Sequence, residues 1–140
     1  MSRAKNLANF QTTITDGTTS VPTSTAVDAA KNRSAKVWCI WNGTSTAAIR
    51  DSHGVSSLTD NGSGDFTFSY TSNFASANYT TGGVFAHSSA ITTYNYNVQP
   101  REDSVVTASN VRLITVFVGA SASGIQDYPN CNFTSHGDLA

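Results

Sequence analysis

From Ala35 onward, apolar and polar residues alternate in short runs separated by glycine and asparagine turns, the pattern of β-strands. In Val37 to Trp41, Val37, Cys39 and Trp41 alternate with Trp38 and Ile40, so both faces are apolar. That predicts a buried central strand, or one whose outer face meets another subunit. Asn42-Gly43 supplies a hairpin turn, and the segment STAAIRD follows it. Phe66, Phe68 and Tyr70 alternate with Thr67 and Ser69, which reads as a half-buried strand with a polar outer face. Asn61-Gly62 and Gly64 break the chain before it, and a connector pinned by Phe74 and Tyr79 follows. Val84 to His87, Thr92 to Val98, Ser104 to Ala108 and Val111 to Val118 complete the set. The last of these is apolar on both faces and is expected beside the tryptophan strand. The predicted fold is all-β, an antiparallel β-sandwich of about seven or eight short strands.

Both ends of the chain read differently. Residues 1–34 form a candidate anchoring arm. Ser2 to Phe10 is compatible with a short helix, Leu7 and Phe10 sharing a face. An extended Thr/Ser-rich stretch with a turn signal at Asp16-Gly17 and a proline at Pro22 comes next. It buries too little to offset its own backbone entropy and is expected to order only against a partner or sister chains. Residues 120–140 are punctuated by glycine, serine and proline and read as a C-terminal tail. The predicted organisation is therefore an arm over 1–34, a β-domain over 35–119 and a tail over 120–140.

Composition narrows the function classes. Only 12% of the 140 residues are charged, about half the usual ~25%. Serine, threonine and asparagine take their place, and good helix formers are scarce, which argues against a helical bundle. No apolar run reaches the roughly 18–20 residues of a membrane span, and the N-terminus lacks the apolar core of a secretory signal. Residues 1–36 hold five cations against two carboxylates, while the rest holds three against seven. A basic arm leading an acidic body suits docking on an acidic protein, though a solvated linker explains the same charges. The body lacks the concentrated basic stripe that nucleic-acid binding needs.

Catalytic signals are weak. His53, His87 and His136 lie far apart without metal-ligand spacing, and two cysteines add little, so no metal or cofactor is expected. Asp51, Ser52, His53 and Ser56 contain the residue types of a nucleophilic triad without its turn context. Asp60 and Asp65 flank a glycine turn and read as its caps. Cys39 reads as a small buried hydrophobe, with a bond to Cys131 as the alternative. Four Asn-x-Ser/Thr sequons, at Asn42, Asn61, Asn78 and Asn132, read as turns. Tyr70, Tyr79, Tyr94 and Tyr96, with Asn95 and Asn97, are candidates for receptor contact. A ring beside amides suits a sugar or a protein interface, and core packing of the rings is the competing explanation. Arg3, Lys5, Leu7 and Phe10 are the candidate anchoring residues of the arm.

One stretch is more specific. Lys36-Val-Trp-Cys-Ile-Trp-Asn-Gly-Thr44, Ala48-Ile-Arg-Asp-Ser52, Val55-Ser-Ser-Leu-Thr-Asp-Asn-Gly62 and Gly64-Asp-Phe-Thr67 resembles a module of tail-fibre-like and other virion proteins of tailed bacteriophages, familiar from phages of marine bacteria. The likeness continues through Phe66 to Tyr70 and Ser76-Ala-Asn-Tyr79. Within it, Trp38 and Trp41 supply large apolar area. Arg50 and Asp51 offer an ion pair or turn-bonding couple, and Asn61 and Gly62 a register-setting turn. The resemblance implies an all-β module on the virion exterior, assembled in the host cytoplasm, usually trimeric and without catalytic residues. It implies a short tail fibre contacting the host surface, possible glycan included, and joined to other virion proteins through the arm. A head decoration or cement protein is the alternative, and a small glycan-active enzyme a remote third.

Overall fold

The computed structural model describes residues 34–86, 94–104 and 106–140, together with the backbones of two short strands at 13–15 and 20–22. At 84–86 and at Tyr94 it describes the backbone alone. The chain divides into two compact units, Met1–Ser34 and Ala35–Ala140. In the first, β1 (Thr13–Thr15) and β2 (Ser20–Pro22) pair antiparallel, with Ile14 opposite Val21. The helix expected over 2–10, the Asp16-Gly17 turn and the anchoring candidates Arg3, Lys5, Leu7 and Phe10 lie outside the described residues.

The second unit is a nine-stranded sheet. Its strands are β3 (Val37–Asn42), β4 (Ala48–His53), β5 (Val55–Gly62), β6 (Asp65–Tyr70), β7 (Thr80–Ala86), β8 (Tyr94–Pro100), β9 (Asn110–Gly119), β10 (Ser123–Ile125) and β11 (Asn130–His136). Every pairing is antiparallel, in the order β4-β3-β11-β7-β8-β9-β6-β5, with β10 added beside β9. No helix occurs among the described residues. The all-β antiparallel class predicted from alternation is the class observed, and the sheet curls until it nearly closes into a barrel.

The closure has a simple covalent reason. β4 and β5 stand at opposite ends of the strand order, yet Gly54 is the one residue between them in the chain. Gly54 has φ +74°, and a Cβ there would meet the Lys36 carbonyl oxygen at 2.8 Å. Only glycine takes this sharp join without strain. The Gly54 carbonyl accepts from Thr71 N at 2.9 Å, which ties the join to the end of β6.

Curling the sheet brings the inward residues of β3 and β11 against those of β6. Trp41 lies edge-on to Phe66, Phe68 and Phe133, at centroid distances of 5.9, 4.8 and 6.0 Å. Val37, Cys39, Val111, Leu113 and Cys131 fill the space around them. Edge-to-face pairs add ~0.5–1.5 kcal/mol each to the burial itself. The Trp41 indole N–H is buried without a hydrogen-bond partner, a cost the packing has to exceed.

Three sequence expectations are corrected. Residues 120–140 are not a tail: they supply β10 and β11, and β11 sits inside the sheet between β3 and β7. Its alternation is real but is carried inward by Cys131, Phe133 and Ser135, two of them small, so it reads as loop in sequence. β9 does not lie beside the tryptophan strand; its neighbours are β8, β6 and β10. A strand apolar on both faces declares its burial, not its partner. Of the strand expected over Ser104 to Ala108, the described residues form a loop, in which Thr107 Oγ1 accepts from Asn110 N at 3.0 Å.

Candidate functional site

Where β6 begins, Asp65 points to the outer face with Thr67 and Ser69, yet it is only 4% exposed. It is covered by arginines. Arg112 of β9 donates through Nε to Oδ1 at 2.8 Å and through Nη2 to Oδ2 at 2.7 Å. Arg101, in the loop after β8, donates from Nη1 to Oδ2. Arg101 also reaches Asp103, Nε to Oδ1 at 2.5 Å and Nη2 to Oδ2 at 3.1 Å. Asn61 adds a bond from Nδ2 to Asp65 Oδ1 at 3.3 Å and a second to Thr67 Oγ1 at 2.9 Å. The Arg112 hydrogen bonds hold the Asp65 carboxyl below its ordinary value, against the opposing effect of burial. Asp65 therefore does more than cap a turn. With equal numbers of arginines and aspartates and its bonds directed inward, the cluster is a strut joining β6, β9 and the 101–103 loop.

The tyrosine candidates separate into different environments. Tyr70 is buried at one end of the core, and its hydroxyl lies 3.0 Å from that of Tyr79. Tyr79 donates onward to the Asn110 carbonyl at 3.1 Å. Phe74 stacks on Tyr79 at 4.2 Å, completing a ring cluster with Tyr70. Burial pushes both phenols up from their ordinary values. Tyr70 belongs to the core, and Tyr79, partly buried, packs against it. On β8, Tyr96 turns inward and meets Tyr128 edge-on at 5.6 Å, while Asn95 and Asn97 are exposed on the opposite face. Asn97 Nδ2 donates to Gln99 Oε1 at 3.1 Å. The ring-beside-amide grouping therefore does not form at Tyr96. The side chain of Tyr94 lies outside the described residues.

The resemblance segment is placed as follows. Trp41 is the core ring, while Trp38 is half-buried on the outer face of β3. Arg50 does not pair with Asp51: its Nη1 donates to Asn130 Oδ1, and Asp51 Oδ1 accepts from Ser52 N at 2.9 Å. Neighbours on a strand point to opposite faces, which keeps them apart. The same alternation separates Ser52 from Asp51 and His53, and Ser56 Oγ is bonded to the Tyr70 carbonyl at 3.2 Å. The triad residue types do not converge. Gly62 has φ +127°, and its N–H donates to Asp60 Oδ1 at 2.9 Å, as its turn role requires.

Cys39 and Cys131 are free and fully buried. Cys39 stands opposite Phe133 and Cys131 opposite Trp41, a diagonal placement on one face. Such diagonals are ~7–8 Å apart, beyond disulfide reach. Desolvation, with Asp51 and Asp127 as secondary influences, pushes each thiol up to about 12. Among the described residues, no group of three or more His, Cys, Asp or Glu side chains is placed to hold a metal ion. No helix there is long and apolar enough to cross a membrane.

A cleft of about 300 Å³ opens beside the Gly54 join. Lys36, His53, Thr71 and Ser72 give it polar walls, and Val37, Gly54 and Leu139 complete it. The backbone around it is pinned. Lys36 N donates to the Ser135 carbonyl at 2.9 Å, Leu139 bridges Phe74, and Ala75 N donates to the Asp138 carbonyl at 2.7 Å. The lining comes from four separate stretches of chain, and no sequence signal draws them together. Leu139, and elsewhere Ile40, Val118 and Ile125, are 43%, 41%, 49% and 45% exposed. Compared with known protein families, curated proteins and solved structures, the chain matches none of them.

Proposed function

We propose that this chain is a displayed structural module of a tailed-phage virion, a short tail fibre that meets the host surface and assembles as a trimer. The arm over 1–34 anchors it to other virion proteins. The resemblance over about Ala35 to Thr81 motivates the reading. The single structural observation supporting it is a body that completes its own aromatic core yet leaves large apolar side chains outside. Ile40 on β3, Val118 on β9 and Ile125 on β10 are exposed, Ile40 with Asp51 and Asn132 as its cross-strand partners. Such surfaces suit burial against sister subunits.

The test is location and stoichiometry. Antibody labelling and cryo-EM of the particle that carries this chain should place it at the tail, in a few tens of copies or fewer. Density repeated over the icosahedral shell makes it a decoration protein instead. Multi-angle light scattering of the full chain should give three times the 14.8 kDa chain mass. A monomer at micromolar concentration removes the trimer.

A further inference from the structure

We infer that Asn61 is a site of spontaneous, backbone-assisted deamidation to aspartate and isoaspartate, and that the change acts on the Asp65 strut. The chemistry belongs to this chain alone and does not depend on the virion reading.

Deamidation needs a nucleophile one residue on. The backbone nitrogen of the following residue, once hydroxide has taken its proton, attacks the asparagine Cγ. A C–N bond forms, the Cγ–Nδ2 bond breaks, and ammonia leaves after Nδ2 takes a proton from water. The five-membered succinimide then adds water and opens at either carbonyl, to aspartate or isoaspartate. One water is consumed and one ammonia released. A side chain on the following residue shields the attacking nitrogen, so glycine, which has none, permits the fastest reaction. The sequence holds two such pairs, Asn42-Gly43 and Asn61-Gly62, equal on local chemistry.

Tertiary structure separates them. Gly43 is buried, its N–H donates to the Tyr128 carbonyl at 2.9 Å, and a Cβ there would lie 2.7 Å from Phe66 Cζ. Asn42 Nδ2 donates to the Thr44 carbonyl at 2.8 Å, and Asn42 Oδ1 accepts from Thr44 Oγ1 at 2.8 Å. The Gly43 proton is screened from hydroxide, and the packed backbone has no room to turn its nitrogen onto Cγ. Asn61 and Gly62, by contrast, are both exposed. A Cβ on Gly62 would meet nothing within 4 Å, so the backbone there has room to rotate. The Gly62 N–H donates to Asp60 Oδ1 at 2.9 Å, but Asp60 is itself exposed, which leaves the proton in reach of solvent. That bond lies in the peptide plane, whereas the nitrogen attacks perpendicular to it. Asn61 Nδ2 is held by Thr67 Oγ1 at 2.9 Å and by Asp65 Oδ1 at 3.3 Å, bonds that an exposed side chain exchanges with water at little net cost.

The product changes the strut. Asn61 donates to Asp65 and Thr67, while an ionised carboxylate at the same position only accepts. Arg101 and Arg112 are matched by Asp65 and Asp103, so a third carboxylate beside Asp65 is unmatched and repels it. Isoaspartate also adds a methylene to the main chain next to Gly62, the residue that pairs with Asp65 across the hairpin. Deamidation therefore loosens the β5–β6 turn as the protein ages.

The test incubates the full chain at mildly alkaline pH and follows each asparagine by peptide mapping and mass spectrometry, with isoaspartate methyltransferase marking the isomer. Asn61 should gain one mass unit about tenfold or more faster than Asn42, the factor that one buried hydrogen bond supplies. In denaturant the two rates should converge. Asn42 converting as fast as Asn61 in the folded chain, or Asn61 unchanged there while both convert in denaturant, overturns the assignment. A difference that persists in denaturant overturns the role of the fold. Asn61→Asp, which reproduces the product with an intact main chain, should lower the thermal midpoint at pH 7 by a few degrees. The difference should close as pH falls and the added carboxylate protonates. A midpoint equal to wild type at pH 7 defeats the effect on the strut.

Discussion

Arg112 grips Asp65 at two points, Nε on Oδ1 at 2.8 Å and Nη2 on Oδ2 at 2.7 Å, beneath a second arginine from the 101–103 loop. The carboxylate belongs to the first residue of β6 and the guanidinium to β9, so the pair fixes how two neighbouring strands meet. Their backbone register already places Thr67 opposite Arg112, and the long side chain reaches diagonally to Asp65.

This pairing predicts an acid limb in stability. The folded Asp65 carboxyl titrates below its ordinary value of 3.8, so its contribution is complete above that pH. It is lost as pH falls through the folded value. Asp65→Asn keeps the shape and removes the charge, and should cost ~2 kcal/mol at pH 7. Urea midpoints should show wild type and variant converging as pH drops from 5 to 2. Parallel curves would show that the pair contributes nothing to acid sensitivity.

The thiols should be inert in the native state. Both are fully buried, with ionisation pushed up to about 12 by desolvation. N-ethylmaleimide at pH 8 should leave the folded chain unlabelled and add two adducts in denaturant. Labelling without denaturant contradicts the burial of the face they share.

Two glycines should respond in opposite directions. At Gly54, a positive φ and the nearby Lys36 carbonyl both resist a Cβ, so Gly54→Ala should destabilise by ~1–3 kcal/mol. At Gly82 an added Cβ meets nothing within 4 Å, so Gly82→Ala should be neutral or stabilise by up to ~1 kcal/mol. Thermal melts of the two variants measure this contrast directly. A silent Gly54→Ala would show that the join between β4 and β5 is not constrained.

Truncations should separate the two ends. Stopping the chain at Pro129 removes β11 from between β3 and β7 and should abolish cooperative folding. Deleting residues 1–34 removes a separate compact unit and should leave the body folded, and, on the virion function proposed above, unable to join particles. Circular dichroism and particle incorporation read the two outcomes. A folded chain after the Pro129 stop would contradict the central position of β11.

Much of the body is legible in the sequence. Alternation at Phe66, Phe68 and Tyr70 marks β6, because strand period is a local property; the hairpin signal at Asn42-Gly43 marks only the start of a longer β3–β4 connection, over 43–47, whose positive φ falls at Ser45. β11 is not legible there because Cys131 and Ser135 are too small to mark an inward face. Val55 and Leu58, both packed on the core, break the strand period because β5 shifts register between Val55 and Ser57.

The candidate sites were less legible. Tyrosines and amides within a few residues of one another looked like a contact surface, but strand alternation sends Tyr96 and Asn97 to opposite faces. Lys36, His53, Ser72 and Leu139 share a cleft although the chain spreads them over more than a hundred residues.

The sequence by itself determined the all-β class, a division after Ser34, where one compact unit ends and the next begins, and the aromatic content of the core. These follow from composition, period and turn residues, which act over a few positions. Tertiary structure alone decided that the edge strands meet at Gly54, that the last residues fill the middle of the sheet, and that Asp65 lies under two arginines. Those are consequences of strand order, and strand order is set by which apolar faces pack best together across the whole chain.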